Sequence, residues 1–85
     1  MSPPMRYFET LKSARIIDDH SVEVTFRGGR VAVFDCSPYF EVGYYQPLKD
    51  PDLFRKVFVA QGDLAWPGDI DIGADDVWDD AVTVV

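Results

Sequence analysis

Any chemistry in this chain would have to come from one histidine, one cysteine and a surplus of carboxylates. His20 and Cys36 are the only residues of their types. Nucleophilic catalysis needs a thiol or hydroxyl beside a base that a third group orients. His20 opens a strand and Cys36 closes another, and the pattern gives them no orienting partner. Cys36 therefore reads as a small buried hydrophobe. One His and one Cys also fall short of the four ligands of a structural zinc site. Asp69-Ile70-Asp71-Ile72-Gly73-Ala74-Asp75 has the look of a calcium loop, with Asp80 at its twelfth position. The sixth position needs glycine and is Ala74, and the twelfth lacks a bidentate glutamate. The alternation predicts instead that Ile70 and Ile72 pack inward while the carboxylates stay hydrated. Asp35, just before Ser37-Pro38, is expected to accept backbone N–H bonds from the following turn. No catalytic, cofactor-binding or metal-binding residue is assigned, no cofactor is expected, and the chain reads as a non-enzyme.

Tyr39, Phe40, Tyr44 and Tyr45 are the more telling group, four aromatics in seven positions around Gly43. A small core does not bury so many, and Tyr is enriched at interface hot spots because it brings area at low entropic cost. Charge adds a second cue. The net charge is −7, seven Asp lie between Asp63 and Asp80, and no Lys or Arg follows Lys56. An acidic face steers toward a basic partner and away from phosphates, so direct nucleic-acid binding is not expected. The expected interface joins Tyr39, Phe40, Tyr44 and Tyr45 to a charged rim of Asp75, Asp76, Asp79 and Asp80. The expected partner is another small, basic protein or a second copy of the chain. A rival reading is a small-molecule sensing domain whose output domain is on a separate chain, with its pocket between helix and sheet near Trp66 and Phe34.

The elements that position these residues follow from periodicity and punctuation. Eighty-five residues make one domain. Residues 1–10 read as an irregular arm, 11–78 as a single α+β domain, and 79–85 as an acidic tail or an added edge strand. A first strand is predicted over Ala14 to Asp18. His20 to Arg27 alternates cleanly, with Val22, Val24 and Phe26 facing the core. Gly28-Gly29 predicts a tight hairpin turn with positive φ at both positions. The return strand, Arg30 to Asp35, then has Val31, Val33 and Asp35 sharing a face. Ser37-Pro38 predicts a helical turn capped by Ser37. Asp50-Pro51-Asp52 predicts a helix of about two turns with Leu53, Phe54 and Val57 as its apolar stripe. A second hairpin runs from Phe58 to Trp66 and turns at Gly62-Asp63, and Ala74 to Trp78 reads as one helical turn. The sum is an antiparallel sheet of two hairpins plus an N-terminal strand with one main helix, in the order β-β-β-α-β-β. No apolar run approaches the ~20 residues of a membrane span, and no signal-peptide core is present, so a cytoplasmic location is expected.

The order of short motifs resembles the uncharacterised bacterial family catalogued as domain of unknown function 2442. The motifs are Val24-Thr25-Phe26, Gly28-Gly29, Phe34-Asp35, Pro38-Tyr39, Pro47-Leu48-Lys49-Asp50, Phe54-Arg55-Lys56-Val57, Trp66-Pro67 and Asp71-Ile72. They cover roughly residues 12–78. The resemblance implies a small bacterial protein, in some members joined to a helix-turn-helix domain and in others encoded beside a second small uncharacterised protein, an arrangement similar to that of toxin–antitoxin pairs. It implies no catalytic residues. Unlike the fused members, this chain is not expected to carry a helix-turn-helix after residue 78.

Overall fold

One glycine decides which face of the first hairpin is buried. The computed structural model describes residues 7–84. Within it β2 (Ser21–Phe26) returns as β3 (Val31–Asp35). Phe26 pairs with Arg30, its N–H donating to the Arg30 carbonyl at 2.8 Å, while the Gly29 N–H donates back to the Phe26 carbonyl at 2.9 Å. The loop is thus Arg27-Gly28-Gly29, a three-residue connection in which Gly29 alone takes positive φ, at +104°. The two-glycine turn predicted from the sequence is corrected here, with a consequence for the whole strand. Adding one loop residue shifts the register by one and reverses every side chain of β3. Ala32 and Phe34, opposite Val24 and Val22, are buried, and Val31 and Val33 lie half-exposed on the other face.

β1 (Leu11–Ile16) pairs with β2 and starts earlier than its sequence suggests. Ile17 falls outside the strand and is exposed, its N–H turned back to the Ser21 carbonyl. The last residues of the predicted arm are tied to the body. Glu9 accepts the Gly28 N–H at 2.8 Å, Thr10 accepts the Arg27 N–H at 3.0 Å, and the Tyr7 ring meets Trp78 edge-on at 5.7 Å. The first six residues of the arm lie outside the described ones, as does Val85.

After β3 the chain makes two 3₁₀ segments, Ser37–Glu41 and Gly43–Lys49, then α1 (Pro51–Phe54). Asp50 caps α1 through its carboxylate on the Asp52 N–H at 3.0 Å, as the Asp-Pro-Asp signal predicts. The helix is one turn rather than two. Its last bonds tighten to i→i+3, from Lys56 to Leu53 and from Val57 to Phe54, and the chain straightens into β4. The short turn seats Phe54 on Trp66 in a stacked pair 5.8 Å apart.

A second, separate sheet follows: β4 (Phe58–Ala60), β5 (Asp63–Trp66) and β6 (Ile70–Ile72), all antiparallel. Its first turn is Gln61-Gly62, both with positive φ (+53° and +83°), one residue earlier than the sequence suggests. α2 (Ala74–Asp80) and β7 (Val82–Thr83) complete the chain, with β7 joining the edge of the first sheet beside β3. Of the residues read as an acidic tail or edge strand, Asp79 and Asp80 end α2 and Val82–Thr83 form β7. The architecture is α+β, with two antiparallel sheets of four and three strands where a single sheet was expected. Both sheets, α1 and α2 supply one buried cluster, in which Trp66, Phe26, Phe34 and Phe54 are the largest members. Trp66 is a core aromatic, and its Nε1–H donates to the Phe54 carbonyl at 3.0 Å.

Candidate interaction surface

Asp35 sets the start of the aromatic segment. Its carboxylate accepts the Ser37 N–H at 2.9 Å and the Ser37 hydroxyl at 2.7 Å, the role read from the sequence. Those bonds hold its carboxyl below the usual carboxylate range, with a smaller contribution from His20. Ser37 itself makes no cap: the N-cap position falls on Cys36, and the Ser37 hydroxyl donates to Asp35 instead. Successive i→i+3 bonds, Val42 to Tyr39 and Tyr45 to Val42, both 2.9 Å, then wind the backbone tightly. That winding stacks the rings into a ladder. Tyr39 lies 5.7 Å from Phe34, Tyr45 meets Tyr39 edge-on at 5.1 Å, and Tyr44 meets Tyr45 edge-on at 4.8 Å. Phe40 turns the other way, onto Phe54 at 5.9 Å.

The four aromatics therefore divide. Tyr39, Phe40 and Tyr45 are half-buried against the core, while Tyr44 is 53% exposed at the outer end of the ladder. Tyr44 is nonetheless held in place. Its hydroxyl donates to the Asp69 carbonyl, and the Tyr45 hydroxyl donates to the Asp71 carbonyl at 3.0 Å. The ladder is thereby pinned to β6 and the turn before it.

The acidic helix borders this ladder. Burial, followed by the charges of Asp76 and Asp80, pushes the Tyr39 hydroxyl up to about 12. Tyr45 is raised by burial first and then by Tyr44, Asp71 and Asp76. Two of the four predicted rim carboxylates, Asp76 and Asp80, thus lie close enough for their charge to act on Tyr39. Asp75 and Asp76 occupy the first turn of α2, where negative charge is favourable, and Asp79 and Asp80 the last, where it is not. Asp75 and Asp79 also make interactions of their own. Helix entry is capped from β5, the Asp63 carboxylate accepting the Ala74 N–H at 2.8 Å.

Arg30 closes the other end of α2. From the sequence it reads as a hairpin charge that keeps the turn soluble. In the fold its guanidinium donates to the Thr83 hydroxyl at 2.6 Å and to the Trp78 and Ala81 carbonyls, both at 2.8 Å. It also lies over the Trp78 ring at 4.7 Å and the Phe26 ring at 5.2 Å. No periodicity in the chain marks this contact.

The residues with catalytic or metal-binding chemistry do gather, though not as a catalytic set. His20 Nδ1 is 3.3 Å from Asp35 and 3.0 Å from the Ser21 hydroxyl, and Ser37 bonds to Asp35, not to His20. A carboxylate between a His and a Ser does not activate the Ser. Cys36 is fully buried, and burial, aided by the Asp35 charge, pushes its thiol up to about 12, so no thiolate is available. Asp18, Asp19 and His20 bring their ligand atoms within 4.8 Å of one another and are the described residues best placed to hold a cation, a cluster the sequence shows as a bare Asp-Asp-His turn. The calcium-loop carboxylates are dispersed over a turn, a strand and a helix, while Ile70 and Ile72 are buried as the alternation predicts. Phe34 and Trp66 are packed into the core, and the open grooves lie on the surface. One of about 370 Å³ is bordered by His20, Ser37 and Lys49, and one of about 340 Å³ lies over the outer face of β4–β6.

The chain belongs to the family described as Protein of unknown function (DUF2442), whose model matches residues 11–83. That match agrees with the resemblance carried by the motif order, and the family description indicates no catalytic class. Neither the curated proteins nor the solved structures include a match. No helix among the described residues is long and apolar enough to cross a membrane.

Proposed function

We propose that this chain is a non-enzymatic protein-interaction module that pairs with a second small, basic protein, in the manner of toxin–antitoxin pairs. The observation that carries the reading is Tyr44. A large aromatic stands half out of the surface, yet its hydroxyl and its ring contact with Tyr45 hold it in one orientation. An exposed aromatic fixed before binding loses little entropy on contact, which is the property of an interface anchor. Asp76 and Asp80 beside the ladder supply the charged rim and favour a basic partner. Tyr39, Phe40 and Tyr45 support the anchor from behind, and Asp75 and Asp79 extend the rim along α2.

The test is a tagged purification from the native host read by native mass spectrometry, repeated with Tyr44→Ala and Tyr45→Ala. The reading expects a stoichiometric second protein that both substitutions release. If both variants retain every complex and oligomer of the parent, the aromatic surface is not the interface. A homodimer that both variants dissociate would replace the basic partner with a second copy of the chain.

A further inference from the structure

The outer face of the second sheet carries a slot whose walls differ in chemistry. Phe58, Ala65 and Asp71 are direct neighbours across β4, β5 and β6 and point to the same face. Phe58 is 46% exposed, a large aromatic standing on an edge strand. Ala65 between them is small and 6% exposed, and it lines the bottom of a groove of about 340 Å³. Strands are spaced about 4.8 Å apart, which sets Phe58 and Asp71 roughly 10 Å from each other across that floor. Asp69 adds a second carboxylate at the same end, in a turn with φ +63° that the Tyr44 hydroxyl fixes through the Asp69 carbonyl. No Lys or Arg follows Lys56, and among the described residues neither carboxylate has an ion-pair partner.

An aromatic wall, an apolar floor and two hydrated carboxylates complement one kind of side chain. The alkyl stem of an arginine fits along Ala65, its guanidinium plane lies against Phe58, and its N–H groups reach Asp71 and Asp69. Lysine shares the charge but neither the planar stacking nor the forked donors. We infer that this slot receives an arginine side chain of the partner protein. The inference rests on the interaction reading above and extends it, because Tyr44 joins the slot to the aromatic ladder.

The probe is an acetylated, amidated tetra-arginine peptide, titrated into the isotope-labelled chain and followed by backbone amide shifts. The control is the same peptide with citrulline in place of arginine, which keeps the shape and removes the charge. The expected result is saturable shifts at Phe58, Ala65, Asp69 and Asp71 with arginine and none with citrulline. Phe58→Ala should weaken binding roughly threefold to fivefold, the scale of an exposed cation–π contact. Asp71→Asn should weaken it as well, and Ala65→Leu, which fills the floor, should block it. Shifts centred on α2, or equal binding by Phe58→Ala, would overturn the slot as the arginine site. Spermine binding the same residues as tightly as the peptide would overturn the partner-protein source in favour of a small polycation. In the complex with the partner the two readings separate. If Tyr44→Ala releases the partner while Phe58→Ala and Asp71→Asn do not, the slot fails and the aromatic surface stands. If Tyr44→Ala and Tyr45→Ala release nothing, the interaction reading itself fails.

Discussion

Replacing Arg30 with methionine removes three hydrogen bonds and a cation lying over two rings while keeping most of the apolar stem. The three acceptors are the Thr83 hydroxyl and the carbonyls of Trp78 and Ala81. A bond from a charged donor contributes about 1.5–3 kcal/mol when buried, and three sharing one side chain do not add in full. Arg30 is half-buried, so water reaches the freed carbonyls and offsets part of the loss. The working expectation is a destabilisation of about 2–4 kcal/mol. A chain of this size has a total stability on the order of 4–13 kcal/mol, so the loss is a large share. It corresponds to a fall in Tm of roughly 10–25 °C. Urea unfolding followed by circular dichroism gives the global figure. Hydrogen exchange at Val82–Val84 shows whether β7 detaches first, since the Val84 N–H bond to the Val31 carbonyl depends on the same edge. Arg30→Lys keeps the charge and loses the fork, and should recover less than half of the loss. If Arg30→Met shifts stability by less than about 0.5 kcal/mol, the size of an ordinary surface substitution, the clamp does not hold α2 and β7.

Three further perturbations follow from the fold. Trp66→Phe keeps the ring over Phe54 but removes the buried Nε1–H bond to the Phe54 carbonyl, which retains the Val57 N–H as a donor, and should cost about 0.5–1.5 kcal/mol in urea unfolding; no change would mean that the bond contributes nothing net. Gly29→Ala meets no steric obstacle but forces φ near +104° on a side chain, and should destabilise by about 1–3 kcal/mol, whereas an unaffected melting curve would refute the three-residue loop. Tyr39, pushed up to about 12, should be the last tyrosine to ionise, and Tyr39→Phe should remove that step from the tyrosinate absorbance titration. Because its folded pKa is raised, the unfolded chain releases that proton first, near pH ~10. This contribution to stability is complete below that pH and declines as the pH rises toward 12. A titration in which Tyr39→Phe leaves the highest step in place would contradict the burial of the ring.

The family and its α+β class are legible in the chain, because local motifs carry both. Strand β2, the Asp50 cap, the inward isoleucines of β6 and the bonding of Asp35 to the turn after it each depend on residues a few positions apart. Where the reading failed, the deciding contact was distant or the margin was one residue. The face of β3 turned on whether two or three residues form a loop, and both options contain the same glycines. The aromatic cluster was visible as a cluster, but which of its rings would be exposed was not.

Taken alone, the sequence determines where strands alternate, where turns and caps fall, and that the last third is acidic. Tertiary structure decided that the strands divide into two sheets, that α2 rather than α1 is the longer helix, and that a supposed surface arginine holds the acidic end together. It also decided that Phe58, Ala65 and Asp71 form the slot we assign to arginine. The physical reason is range. Periodicity and capping act within a turn or two of chain, whereas Arg30 reaches Ala81 across 51 positions, and only the closed core brings the two within hydrogen-bond distance.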